Sequence, residues 1–125
     1  VNLSTVLELL LETSLLLGVP PLTDLPSVEI VSKERMLEVC GVKAKGCYLR
    51  PIIYIRDDMS EIETKGVLVH ELVHHHQAML GSYASAPKCI GYHLREQEAY
   101  FIQNQWLRER GIGAFQIYIK PKCND

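Results

Sequence analysis

Apolar positions change their period several times along the chain, and each change marks an element. Between residues 2 and 17, Leu3, Val6, Leu7, Leu10 and Leu11 recur at helical spacing, with Glu8 and Glu12 interrupting. This predicts an amphipathic helix with those five residues inward. "GVPPLTDLP" ends it, because its prolines remove donors and restrict the backbone. "SVEIVS" alternates as a short strand, and "KERMLEVC" reads as a short helix. "CYLRPIIYIRD" reads as strand divided by Pro51, which cannot donate to a ladder and so predicts an edge or a bulge. A long helix follows to residue 80, with Ser60 as cap, Glu63 three residues on and Gly81 as terminator. After the loop "GSYASAPKCIG", a second long helix runs from about 92 to 110, and "AFQIYI" suggests a final strand. No repeat, low-complexity tract or linker divides the 125 residues. The expectation is one small α+β domain over residues 1–125, a short sheet packed on one long helix with a second beside it.

Composition narrows the classes. Hydrophobic residues make up 47% and charged residues 22%, so the chain can bury a core and disorder is excluded. Its net charge of −2 argues against nucleic acid as the main partner. The leucine-rich start is too short and too interrupted for a membrane span, and lacks the flanks of a signal peptide. Four cysteines, Cys40, Cys47, Cys89 and Cys123, form no CxxC pair, which disfavours a zinc knuckle. An even count in a small domain predicts two disulfides and a periplasmic or secreted location. Cys40 and Cys47 flank a glycine-bearing loop, so the expected pairs are Cys40–Cys47 and Cys89–Cys123; three connectivities are formally open.

The chemistry concentrates in "HELVHHHQ", residues 70–77. His70 and His74 are four apart on the predicted helix, which brings both imidazoles to one face, as a shared zinc requires. Glu71 points about 100° away and can reach water without being a ligand. His75 and His76 project to other sides, as outer contacts or ordinary surface, and are not expected as ligands. The segment is apolar nearly all round, and two histidines and a glutamate in a buried helix need a partner such as a metal. A third ligand must come from elsewhere. The downstream helix offers His93, Glu96 and Glu98. At about 100° per residue, Glu96 shares its face with Ala99, Tyr100, Trp106 and Leu107, while Glu98 falls on the polar side. Glu96 is therefore the expected ligand, with His93 a possible substitute.

"HELVH" followed by "REQEAY" resembles the gluzincins, zinc peptidases whose third ligand is a glutamate on a later helix, and is similar in size to the single-domain minigluzincins. The resemblance runs from Tyr54 to Asn104. It implies zinc held by His70, His74 and Glu96, Glu71 as general base, and hydrolysis of peptide bonds in a peptide or protein substrate. It further implies that "PIIYIRD" is an edge strand pairing with extended substrate. Tyr100 stands where the family commonly has an acidic or amide residue bracing a ligand histidine. Tyr83, Tyr92, His93 and Tyr100 are candidates to stabilise the oxyanion. The rival readings are a non-catalytic zinc-binding or partner-binding domain and a latent protease covered by its own tail.

Overall fold

The structure is a computed structural model that describes residues 1–113, 117–119 and 122–124. Its elements, in chain order, are α1 (Leu3–Leu17), β1 (Ser27–Val31), α2 (Lys33–Cys40), β2 (Gly46–Leu49), β3 (Ile52–Arg56), α3 (Glu61–Leu80) and α4 (Lys88–Glu109). The domain is α+β: helices pack around α3, and a three-stranded mixed sheet covers one side.

Helix ends follow their local chemistry. Asn2, Ser32 and Ser60 each accept a backbone N–H of the first turn, and Gly18, Gly41 and Gly81 close the three helices in left-handed conformation. At α3 only half of the capping box forms. The Ser60 hydroxyl accepts from the Glu63 N–H, but the Glu63 carboxylate turns outward to Lys45. The second long helix starts at Lys88, a turn earlier than expected, with Pro87 preceding it. Proline without an N–H suits a helix entry.

The sheet departs from expectation in an informative way. The stretch through Pro51 is two strands, not one: β2 and β3 pair antiparallel, with a turn containing Pro51 between them. β1 then pairs parallel on the far side of β3, giving the order β1-β3-β2. The expected edge strand is therefore central, and β1 and β2 are the edges. Pro51 lies in the turn, so its missing donor costs the ladder nothing. Of the expected final strand, residues 117–119 have no regular structure, and 114–116 lie outside the described residues.

Helix α3 is the centre of the core. It packs against α4, α1, β2 and β3, and is buried on all sides along its middle two turns. Trp106 of α4 is fully buried and donates its indole N–H to Glu12 of α1 at 2.8 Å. Helix α1 is rotated from its expected setting. Val6, Leu9, Leu10, Thr13 and Ser14 are inside, whereas Leu3, Leu7 and Leu11 are exposed. Leucines surround this helix, so their spacing does not define a unique face. Thr13 and Ser14 can enter the core because their hydroxyls donate to the Leu9 and Leu11 carbonyls. Two disulfides, Cys40–Cys47 and Cys89–Cys123, tie α2 to β2 and the tail to the start of α4. Among the described residues no helix is long and apolar enough to cross a membrane.

Candidate metal centre

His70 and His74 face the same cleft from consecutive turns of α3, and Glu96 enters it from α4. His70 Nε2 lies 3.4 Å from one Glu96 oxygen, and His74 Nε2 forms an ion pair with the other. One donor atom from each residue falls within 4.8 Å of the others, so the three can hold a metal ion. Donors on one tetrahedral ion at about 2.0–2.1 Å stand about 3.4 Å apart, so little movement is needed.

The surrounding hydrogen bonds fix which nitrogen each imidazole offers. Gln77 donates its amide to the Arg95 carbonyl at 2.9 Å and to Glu98 at 3.0 Å. Its amide oxygen is thereby turned to His74 Nδ1, 2.8 Å away. Nδ1 then carries a proton whatever the charge of the ring, and Nε2 faces Glu96, as an N–H donor without a metal and as a lone pair with one. Gln103 Oε1 does the same for His70 Nδ1 at 3.0 Å. These are the outer contacts that orient metal-binding histidines. The donor set and its tautomers fit a divalent ion.

Electrostatics agree with a cationic occupant. Burial opposes ionisation of Glu96, but hydrogen bonds from His70 and His74 outweigh it and hold the carboxyl far below its usual range. Burial likewise opposes charge on His74, but the Glu96 hydrogen bond prevails and raises its pKa. Glu71 is buried in the cleft wall beside Gly46 of β2. Burial pushes its carboxyl up, although the nearby His70 and His74 oppose this. A raised carboxyl is suited to accept and return a proton. The cleft measures about 1080 Å³ and runs between β2 and α4, with Tyr48, Tyr92 and Tyr100 on its walls.

Residues 52–124 match the model of a family described as a domain of unknown function, DUF6647. The chain belongs to DUF6647. The matched span takes in β3, α3 and α4, hence all four residues of the centre, and leaves α1, β1, α2 and β2 outside. Neither a curated protein nor a solved structure matches the chain significantly.

Other residues singled out in this DUF6647 chain fall elsewhere. His93 is not brought to Glu96's partners but joins Cys89 and Cys123, with Nδ1 bonded to the Tyr118 hydroxyl. Glu98 is not on a bare polar side: it is half-buried, accepting from Gln77 and from the Tyr83 hydroxyl. Tyr83 is thus occupied away from the ligand histidines. Tyr100 packs edge-on against His70, with ring centres 4.4 Å apart, instead of bracing it by a hydrogen bond. Gln103, two turns beyond Glu96 on the same face, is the brace. The signal for Gln103 is its seven-residue step from Glu96, which returns it to the inward face of the helix.

His75 and His76 are both fully buried, not surface residues. His75 links Tyr48 of β2 (Nδ1, 2.9 Å) to the Asp24 carbonyl (Nε2, 2.8 Å), so it joins the cleft's rim strand to the loop before β1. Among the described residues neither ring nitrogen of His76 has a well-aligned hydrogen-bond partner, the Leu10 carbonyl being close enough only for a weak contact. Burial pushes its pKa down.

Proposed function

We propose that this DUF6647 chain is a gluzincin-like zinc metallopeptidase, hydrolysing peptide bonds in peptide or protein substrates. The observation that carries the reading is the convergence of two Nε2 atoms on one carboxylate, with a buried glutamate beside them. Zinc held by His70, His74 and Glu96 would supply Lewis-acid chemistry, acidifying water and polarising a carbonyl. Glu71 accepts the proton of the attacking water on its carboxylate and delivers it to the leaving amine. Gln77 and Gln103 keep both imidazoles in the ligating tautomer throughout. Substrate pairs with the edge strand β2, not β3, because β2 borders the cleft and has a free ladder side. The disulfides favour a periplasmic or secreted setting.

The test is zinc-loaded protein incubated with a peptide library, with products read by mass spectrometry. The parent should cleave, and Glu71→Gln should retain zinc while losing hydrolysis by about 10²-fold or more. A zinc-loaded parent that cleaves nothing would leave a non-catalytic metal-binding domain as the better account. Equal cleavage by Glu71→Gln would remove the assigned base.

A further inference from the structure

We propose that Cys89, His93 and Cys123 form a second metal site, closed by the disulfide when oxidised and opened by reduction. Its ion would be a divalent cation that favours thiolate ligands. The proposal is independent of peptidase activity and of the centre built on His70.

Cys89 and His93 are four residues apart on α4 and so share one face. Cys123 arrives from the tail, and one donor atom from each of the three lies within 4.8 Å of the others. The two cysteine Cα atoms are 5.8 Å apart. Thiolates sharing a tetrahedral zinc stand about 3.8 Å from each other, with bonds of about 2.3 Å, a separation such a pair can span. Two thiolates and one imidazole make a soft donor set that selects zinc, cadmium or cobalt over magnesium or calcium.

The surroundings favour thiolate once the bond is broken. Cys89 is the second residue of α4, at the helix end whose dipole favours a negative sulfur. Lys88 and Arg95 line the shallow cleft of about 570 Å³ onto which Cys89 opens, giving a reductant access and placing positive charge beside the sulfur. His93 is buried and held to the tail by its Nδ1 contact with Tyr118, which keeps the imidazole near Cys123. The other disulfide differs: among the described residues no third donor groups with Cys40 and Cys47.

The exchange balances. A dithiol reductant gives two electrons and two protons to the Cys89–Cys123 bond and becomes a disulfide. The two thiols then lose their protons to solvent as two sulfur–metal bonds form. A disulfide oxidant reverses both steps: it takes the two electrons and, with two protons from solvent, becomes a dithiol, while the two sulfurs rejoin and the ion is released.

Cobalt(II) titration tests this, because thiolate ligands give a near-ultraviolet charge-transfer band that a centre of histidines and glutamate does not. Oxidised parent should bind without the band. Parent reduced by a phosphine and desalted without oxygen should take up one further cobalt and show it. Reduced Cys40→Ser/Cys47→Ser should keep the band, and reduced Cys89→Ser/Cys123→Ser should lose it. His93→Ala should weaken this site about tenfold or more. No band in reduced parent, loss of its helical circular dichroism on reduction, or a band surviving in Cys89→Ser/Cys123→Ser would overturn the proposal. Parental affinity in His93→Ala would remove the histidine from it. Failure here leaves zinc uptake by oxidised protein, and hence the first centre, untouched.

Discussion

Replacing Gln77 by leucine isolates the support of the metal centre from its ligands. Gln77 is 3% exposed, and leucine is similar in size, so packing is nearly conserved. The variant loses the acceptor for His74 Nδ1 and both amide donations. Glu98 keeps the Tyr83 hydroxyl, so the main group left unsatisfied is the imidazole N–H. An unpaired buried donor costs about 1–3 kcal/mol. Loss of an outer contact to a ligand histidine weakens metal binding by about 10–100-fold, or about 1.4–2.8 kcal/mol. The two routes agree in size. Competition with a chromophoric zinc chelator at neutral pH reads the change. Gln77→Leu should fall in that range, while Gln97→Leu, on the exposed side of α4, should match the parent. Parental affinity in Gln77→Leu, or an equal loss in Gln97→Leu, would refute the role given to the amide.

Three further outcomes are expected. A Cβ at Gly46 would stand 2.6 Å from Val67 Cγ1 and 3.2 Å from Glu71 Oε2, so Gly46→Ala should displace β2 and cost about 1–3 kcal/mol in denaturant unfolding; unchanged stability would contradict that packing. His76→Leu removes a buried imidazole with no well-aligned hydrogen bond and should raise stability by about 1 kcal/mol, read as a Tm increase of several degrees; a lower Tm would show that the contact with the Leu10 carbonyl is a full hydrogen bond. In metal-stripped protein, Glu96 stabilises fully above its ordinary pKa of 4.5 and loses this as pH falls, whereas His74 stabilises fully below 6.5 and loses this as pH rises through its raised value. The Tm gain on adding zinc should therefore grow as pH climbs above 6.5, since protons compete less for His74; a gain independent of pH would contradict the pairing.

Local chemistry was the most legible part of the chain. The caps at Ser60 and Gly81, the four-residue step from His70 to His74 and the inward face of Glu96 all follow from helix geometry, and the two disulfides join the pairs that loop proximity suggested. What escaped was set by neighbours. Whether β3 is central depends on β1 and β2 pairing to its two sides, which no strand's own pattern encodes. The face of α1 was ambiguous because leucine occupies too many positions, and the buried Thr13 and Ser14 satisfy themselves within the helix. Glu98 looked solvated by its angle on α4, yet Gln77 and Tyr83 reach across to it. The angles of His75 and His76 on α3 left outer contacts and surface both open, because which neighbour covers each side of a helix is not written in its own sequence.

The central claim is that His70, His74 and Glu96 hold one zinc. Crystals of oxidised, zinc-loaded protein, with diffraction measured on either side of the zinc absorption edge, test it most directly. The account requires one strong anomalous peak per chain, bonded to Nε2 of His70, Nε2 of His74 and the Glu96 carboxylate, with Gln77 and Gln103 on the Nδ1 atoms. A peak bonded through Nδ1, a peak elsewhere on the chain, or no peak from protein soaked in excess zinc would contradict it.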